Sequence, residues 1–207
     1  MEMLFVMKLL LIFLVSILLT ALPLVTLNFY NSGTSLLVMV GSEFLLALLS
    51  YFLYLRRLPD FSLRMRGFKN VLKIFFSYAL FIISLQFIAF FIIQEQNSSP
   101  PTNLPILSVI ILTIIVPVYE EIFYRGCLFS GLHLLFKDKI IAGLFTSIVF
   151  CAMHSQYTSF IDFFILFISS LSMIHMRLKT NGLLYPMMLH SIMNLAFVII
   201  NTQNIYR

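Results

Sequence analysis

Between Lys8 and Arg56 the chain carries a single charged residue, Glu43, and long apolar runs of this kind recur towards the C-terminus. In water such a chain could not cover its surface with polar groups. In a bilayer, a run of about 20 apolar residues spans the ~30 Å hydrocarbon core as a helix that satisfies its own backbone hydrogen bonds. The runs are continuous rather than alternating, which argues against a transmembrane barrel, whose strands present lipid-facing and lumen-facing residues in turn. With 61% hydrophobic and 10% charged residues in a chain of 207, the expected fold class is all-α, a polytopic integral membrane protein of about seven transmembrane helices. The spans read as residues 4–27, 34–55, 71–93, 104–136, 140–154, 160–176 and 183–201. Residues 1–103 hold helices 1–3 and a basic connector, and residues 104–207 hold helices 4–7, in one integrated membrane domain.

The formal charge of +5 is distributed as a topology signal. Arg56, Arg57, Arg64, Arg66, Lys69 and Lys73 crowd one connection, Lys137 and Lys139 another, and Arg177 and Lys179 a third. The connections at 31–34 and 94–103 hold no Lys or Arg. By the positive-inside rule the first set faces the cytoplasm, which puts the N-terminus inside and, after seven helices, the C-terminus outside. This distribution leaves no support for a nucleic-acid partner. In the first connector Phe61, Leu63, Met65 and Phe68 interleave with Arg64, Arg66 and Lys69. That pattern suits either a segment lying among the headgroups of an anionic leaflet or a solvated loop. Cys127 and Cys151 lie in apolar stretches and read as reduced core residues, and the first apolar run is too long for a signal-peptide core.

Helix 4 cannot avoid charge. From Leu104 to Val118 there are about 15 residues, roughly 22 Å of helix, so the span must continue through Glu120 and Glu121. An ionised side chain near the bilayer centre costs about 2.5–3.5 kcal/mol on the insertion scale, and such residues face protein or a water-filled cavity. Residues four apart share a helix face, so Glu121 looks towards Arg125 and an ion pair there lowers the cost for both. Glu120 is left without a partner nearby in sequence and suits proton exchange with water. Depth along the helices lets it meet His154 of helix 5 and His190 and Asn194 of helix 7 in one cavity.

One Glu and two His on three helices fit a metal site, metal-free water activation or a proton relay. Zinc takes His and carboxylate ligands, so Glu120, His154 and His190 are candidate ligands for Zn or another divalent metal. Without a metal, Glu120 and His154 would deprotonate a water while His190 and Asn194 donate to a carbonyl oxyanion. His133 and His175 read as interfacial, Asp162 as wetted near a helix end, and Glu43 as a buried carboxylate that no motif explains.

The patterns Glu120-Glu121-x-x-x-Arg125, Phe150-x-x-x-His154 and His190-x-x-x-Asn194, in that order on successive helices, resemble the three motifs of the CPBP family of intramembrane endopeptidases. That family is also called the Abi or CAAX protease type. The resemblance spans about residues 105–196 and includes Gly126 and Leu184-Tyr185-Pro186. It implies Glu120 as the water-activating carboxylate with His154 as its partner, His190 and Asn194 as stabilisers or ligands, and Glu121 with Arg125 as support. It further implies a hydrolase of the bacterial plasma membrane, metallo- or glutamate-type, acting on a membrane-associated peptide, such as a bacteriocin or pheromone precursor, or on a membrane protein. Its partners are then lipids and that substrate. Two rivals come from other classes: a bacteriocin self-immunity protein that acts by binding, and a small proton-coupled transporter, against which the lack of an inverted repeat counts.

Overall fold

A computed structural model describes residues 2–65, 68–94, 104–154, 157 and 159–202. All of its regular elements are helical: α1 (Glu2–Thr20), followed by the short turn Pro23–Thr26, then α2 (Ser32–Leu53) and α3 (Phe68–Gln94). The second half holds α4 (Ile106–Phe136), α5 (Lys139–Ala152), α6 (Phe160–Thr180) and α7 (Leu184–Thr202). Among the described residues six helices are long and apolar enough to cross a membrane, and α5 is a shorter apolar one. The protein is therefore an all-α polytopic membrane protein, as the apolar runs predict. The segment expected to be the loop at 94–103 lies almost wholly outside the described residues, as do residues 155, 156 and 158 of the turn after α5.

The helix boundaries follow local chemistry. The Asn31 side chain accepts the Thr34 N–H at 2.8 Å and starts α2. Lys137 adopts a left-handed conformation (φ 57°) that ends α4, and Asp138 Oδ1 then accepts the N–H groups of Ile140 and Ile141 at 2.7 and 3.1 Å to start α5. Each such cap is worth ~1 kcal/mol. A span from Phe160 that stops at Met176 is corrected: α6 runs on to Thr180 and ends at left-handed Asn181. The extra turn carries Arg177 into the protein interior, where Nη2 donates to Ser130 Oγ at 2.6 Å and the guanidinium lies 4.8 Å from the Phe129 ring. The reading of Arg177 as a loop charge fails because a cation in the last helical turn also complements the unpaired carbonyls there.

The core gathers around α4. Its second half packs against α1, α5 and α6, whereas its first half meets α7 and α2. Large apolar side chains such as Leu11, Leu18, Leu45, Leu49, Leu80 and Phe87 remain exposed. On a soluble protein these would be a liability. On helices of membrane length they are the lipid-facing side.

The connector between α2 and α3 is folded into the body of the protein. Leu55 and Phe61 are buried, and the backbone forms two short 3₁₀ turns, Leu55–Arg57 and Pro59–Phe61. The Ser62 carbonyl accepts the Leu183 N–H at 3.0 Å, tying this connector to the start of α7. Gly182 is required there, since a Cβ would lie 2.5 Å from the Ser62 carbonyl oxygen.

Candidate active site

α4 is not a uniform α-helix: residues 111–115 and 121–128 are π-helical. π turns inside α-helices are rare and are frequently found at functional sites. Within the first π turn, the Val116 N–H donates to Ile111 O, five residues back. In that register the next donor, for Leu112 O, falls at Pro117, which has no N–H. The gap is filled from another helix, by Asn194 Nδ2 donating to Leu112 O at 2.8 Å. Asn194, expected to point at a substrate oxyanion, thus has one of its two amide protons committed to holding α7 against α4.

The second π segment carries Glu121 and Arg125, and it is buried throughout. Arg125 Nη1 stands 2.9 Å from Glu121 Oε1, and neither side chain is exposed. The alignment is that of a close ion pair rather than of a hydrogen bond, and the guanidinium also lies over the Phe150 ring at 4.2 Å. The pair anticipated from the i,i+4 spacing is present.

His190 departs from its expected place. Its shorter contact goes to Glu121, with Nδ1 2.8 Å from the same Oε1 that faces Arg125. Its Nε2 lies 3.7 Å from Glu120 Oε2. The imidazole therefore bridges the two glutamates instead of serving Glu120 alone. A carboxylate oxygen held by Arg125 can only accept, so Nδ1 is the donor and carries a hydrogen. Two lone pairs would otherwise face each other across the 3.7 Å between Nε2 and Glu120. A proton on one of the two groups, or a water between them, resolves that conflict. Glu120 is the less enclosed of the two acids, 13% exposed against 0% for Glu121, and its Oε2 has no hydrogen-bond partner.

The span expected to run to His154 is corrected: α5 ends at Ala152, and His154 lies two residues beyond it, tied back to the helix by Nδ1 donating to Phe150 O at 2.7 Å, which leaves Nε2 as the acceptor. Among the described residues no hydrogen bond or ion pair joins it to Glu120. What links the motifs is Phe150. Its ring centroid lies 4.5 Å from His154, 5.9 Å from His190 and 5.0 Å from Tyr124, besides its contact with Arg125. As the first residue of Phe150-x-x-x-His154 it was visible in the sequence, but its role as the common floor of the site was not. Glu43 of α2 is buried as well, 1% exposed with both carboxyl oxygens unpartnered, and it interacts electrostatically with Glu120. His175 bonds Tyr78 of α3 and is a helix-to-helix contact, and His133 stacks on Phe129.

The donor set does not fit a metal site as it stands. Among the described residues no three His, Cys, Asp or Glu side chains converge to hold an ion. Among the described residues His154 makes no hydrogen bond or ion pair with Glu120 or His190.

Comparison with known proteins bears on this half of the chain. Residues 102–196 match the model of a family described as type II CAAX prenyl endopeptidase, Rce1-like. That match agrees with the resemblance to the CPBP family read from the three motifs. The matched segment contains the glutamate pair, Arg125, both motif histidines and Asn194. A curated relative, an Escherichia coli protein with the printed name "Uncharacterized 24.3 kDa protein", is 31% identical over 90 residues. The aligned stretch covers 41% of this chain and 40% of that protein. No solved structure matches the chain.

Proposed function

We propose that this protein is an intramembrane endopeptidase that hydrolyses a peptide bond of a membrane-associated peptide or protein, with Glu120 as the carboxylate that activates water. The observation that carries the reading is the buried relay Arg125–Glu121–His190, which ends 3.7 Å from the unpartnered Oε2 of Glu120. A structural ion pair needs no third member, and it has no use for a second buried carboxylate beyond it whose Oε2 lacks a hydrogen bond. The family match of residues 102–196 supports the same reaction class.

In this mechanism Glu120 takes a proton from a water, and the hydroxide bonds to the carbonyl carbon of the scissile peptide. His190, oriented by Nδ1–H to Glu121, donates from a protonated Nε2 to the oxyanion. The second N–H of Asn194 is free to assist, and Nε2 of His154 is free to orient the water. As the C–N bond breaks, Glu120 passes its proton to the departing amine. Every step uses water and groups of the chain itself, and none is routed through a metal.

The test is cleavage of reporter peptides by protein reconstituted in liposomes. Glu120→Gln keeps the shape and removes the base, and activity should fall about 10²–10⁴-fold with unchanged thermal stability. Retained cleavage in that variant refutes the proposal. Absence of any cleavage by the wild type, with toxin protection in cells that survives Glu120→Gln, would establish self-immunity by binding instead. Activity should persist after chelation and elemental analysis should find less than one metal ion per chain; stoichiometric, activity-linked metal would overturn the metal-free step.

A further inference from the structure

The connector after α2 forms a cavity of about 390 Å³ whose lining includes Tyr51, Arg56, Arg57, Ser62 and Arg64. No acidic residue is among the described residues that line it. Asp60, the acid of the same turn, is not among them, and it acts electrostatically on the buried Arg177. Arg56, Arg57 and Arg64 are exposed and make no ion pair with any described residue. Three arginines lining one concavity that no acid lines suit an anion with several acceptor oxygens.

The concavity is also rigid. Phe61 is 1% exposed and plugs the protein beside Gly126, where a Cβ would come within 2.6 Å of the ring, and Ser62 is pinned to Leu183. A plain topology loop needs positive charge but no such anchoring. Leu63 of the lining is exposed, as are its near neighbours in sequence Met65, in the connector, and Phe52 and Leu53, at the end of a membrane-length helix. Apolar surface next to an anion site suits acyl chains and has no use for a free inorganic ion.

We propose that Arg56, Arg57 and Arg64, with Tyr51 and Ser62, form a binding site for the phosphodiester headgroup of an anionic phospholipid in the leaflet that this end of the helices faces. Guanidinium groups grip the phosphate oxygens in paired N–H contacts, the Tyr51 and Ser62 hydroxyls complete the shell, and the acyl chains run along Phe52 and Leu53. The site lies outside the glutamate–histidine cluster and does not depend on the protein being a protease.

Native mass spectrometry of the full chain, delipidated in neutral detergent and titrated with phosphatidylglycerol or phosphatidylcholine, tests this. One phosphatidylglycerol should bind at least tenfold more tightly than phosphatidylcholine, and replacing the arginines by glutamine should weaken it about five-fold for each residue removed. Lys137→Gln with Lys139→Gln, which removes basic residues away from the cavity, should leave binding unchanged. Replacing Arg56, Arg57 and Arg64 together by lysine keeps the charge and the insertion signal but removes the planar fork, and should still cost several-fold. Equal binding of both lipids, wild-type affinity in the lysine triple, or an equal loss in the Lys137/Lys139 variant would each overturn the proposal. Displacement of the lipid by millimolar inorganic phosphate would overturn the lipid assignment in favour of a free-phosphate site.

Discussion

The two halves of α4 have similar residues for neighbours in sequence and opposite surroundings in space. In the first, Ile106, Leu107, Ile110, Leu112 and Ile114 are exposed on a helix of membrane length. In the second, every residue from 121 to 131 is buried, because α1, α5 and α6 enclose it. Charge starts at the boundary between the two, with Glu120, and continues into the enclosed half with Glu121 and Arg125. Lipid cannot solvate a carboxylate or a guanidinium, whereas Phe150, His190 and the opposing charge replace part of the lost hydration. Burial by protein, more than depth in the bilayer, decides where this helix carries ionised groups.

That contrast can be broken by substitution. The largest stability effect should follow Arg125→Ala, which leaves Glu121 with His190 as its remaining polar partner in a closed site. A loss of about 3–5 kcal/mol is expected, read as unfolding in a denaturing-detergent titration. A variant as stable as wild type would show that the ion pair is dispensable there. Gly126→Ala comes next: its Cβ would lie 2.6 Å from the Phe61 ring, and no free space surrounds that ring. Overpacking of this kind costs about 1–3 kcal/mol, and protease nicking of the connector should rise with it.

Asn194→Ala separates the two halves from the side of α7. It removes the donor to Leu112 O and should cost about 0.6–1.7 kcal/mol, the range for interhelical hydrogen bonds in membranes. If only cleavage suffers and stability is untouched, Asn194 acts on substrate rather than as a clamp. Smallest of all, Ile114→Leu on the lipid-facing half should stay within about 0.5 kcal/mol of wild type. A larger change would mean that Ile114 is covered by a partner rather than by lipid.

The spans were legible in the sequence because hydrocarbon imposes a length and forbids unsatisfied backbone. Expectation and structure agree to within a few residues for most helices, and they part at Arg177, whose charge read as loop but whose side chain is buried on Ser130. The Glu121–Arg125 pair was legible because it is local, set by helical spacing even through a π turn. The partnership of His190 with Glu121 was not, since 69 residues separate them and only the packing of α7 decides which of two adjacent acids it meets first.

Glu43 shows the same limit from the other side. Its presence inside the membrane is evident from the run that holds it, yet its neighbour Glu120 belongs to another helix. By itself, then, the sequence determined the membrane helices, the charged pair within one of them and the order of the three motifs, all of them consequences of spacing along a helix. Only the tertiary structure decided that His190 bridges both glutamates, that Asn194 answers the carbonyl orphaned by Pro117, and that Phe150 underlies the site. Those contacts depend on the rotation and depth of one helix against another, which are set by side-chain packing across the bundle and leave no periodic trace in any single segment.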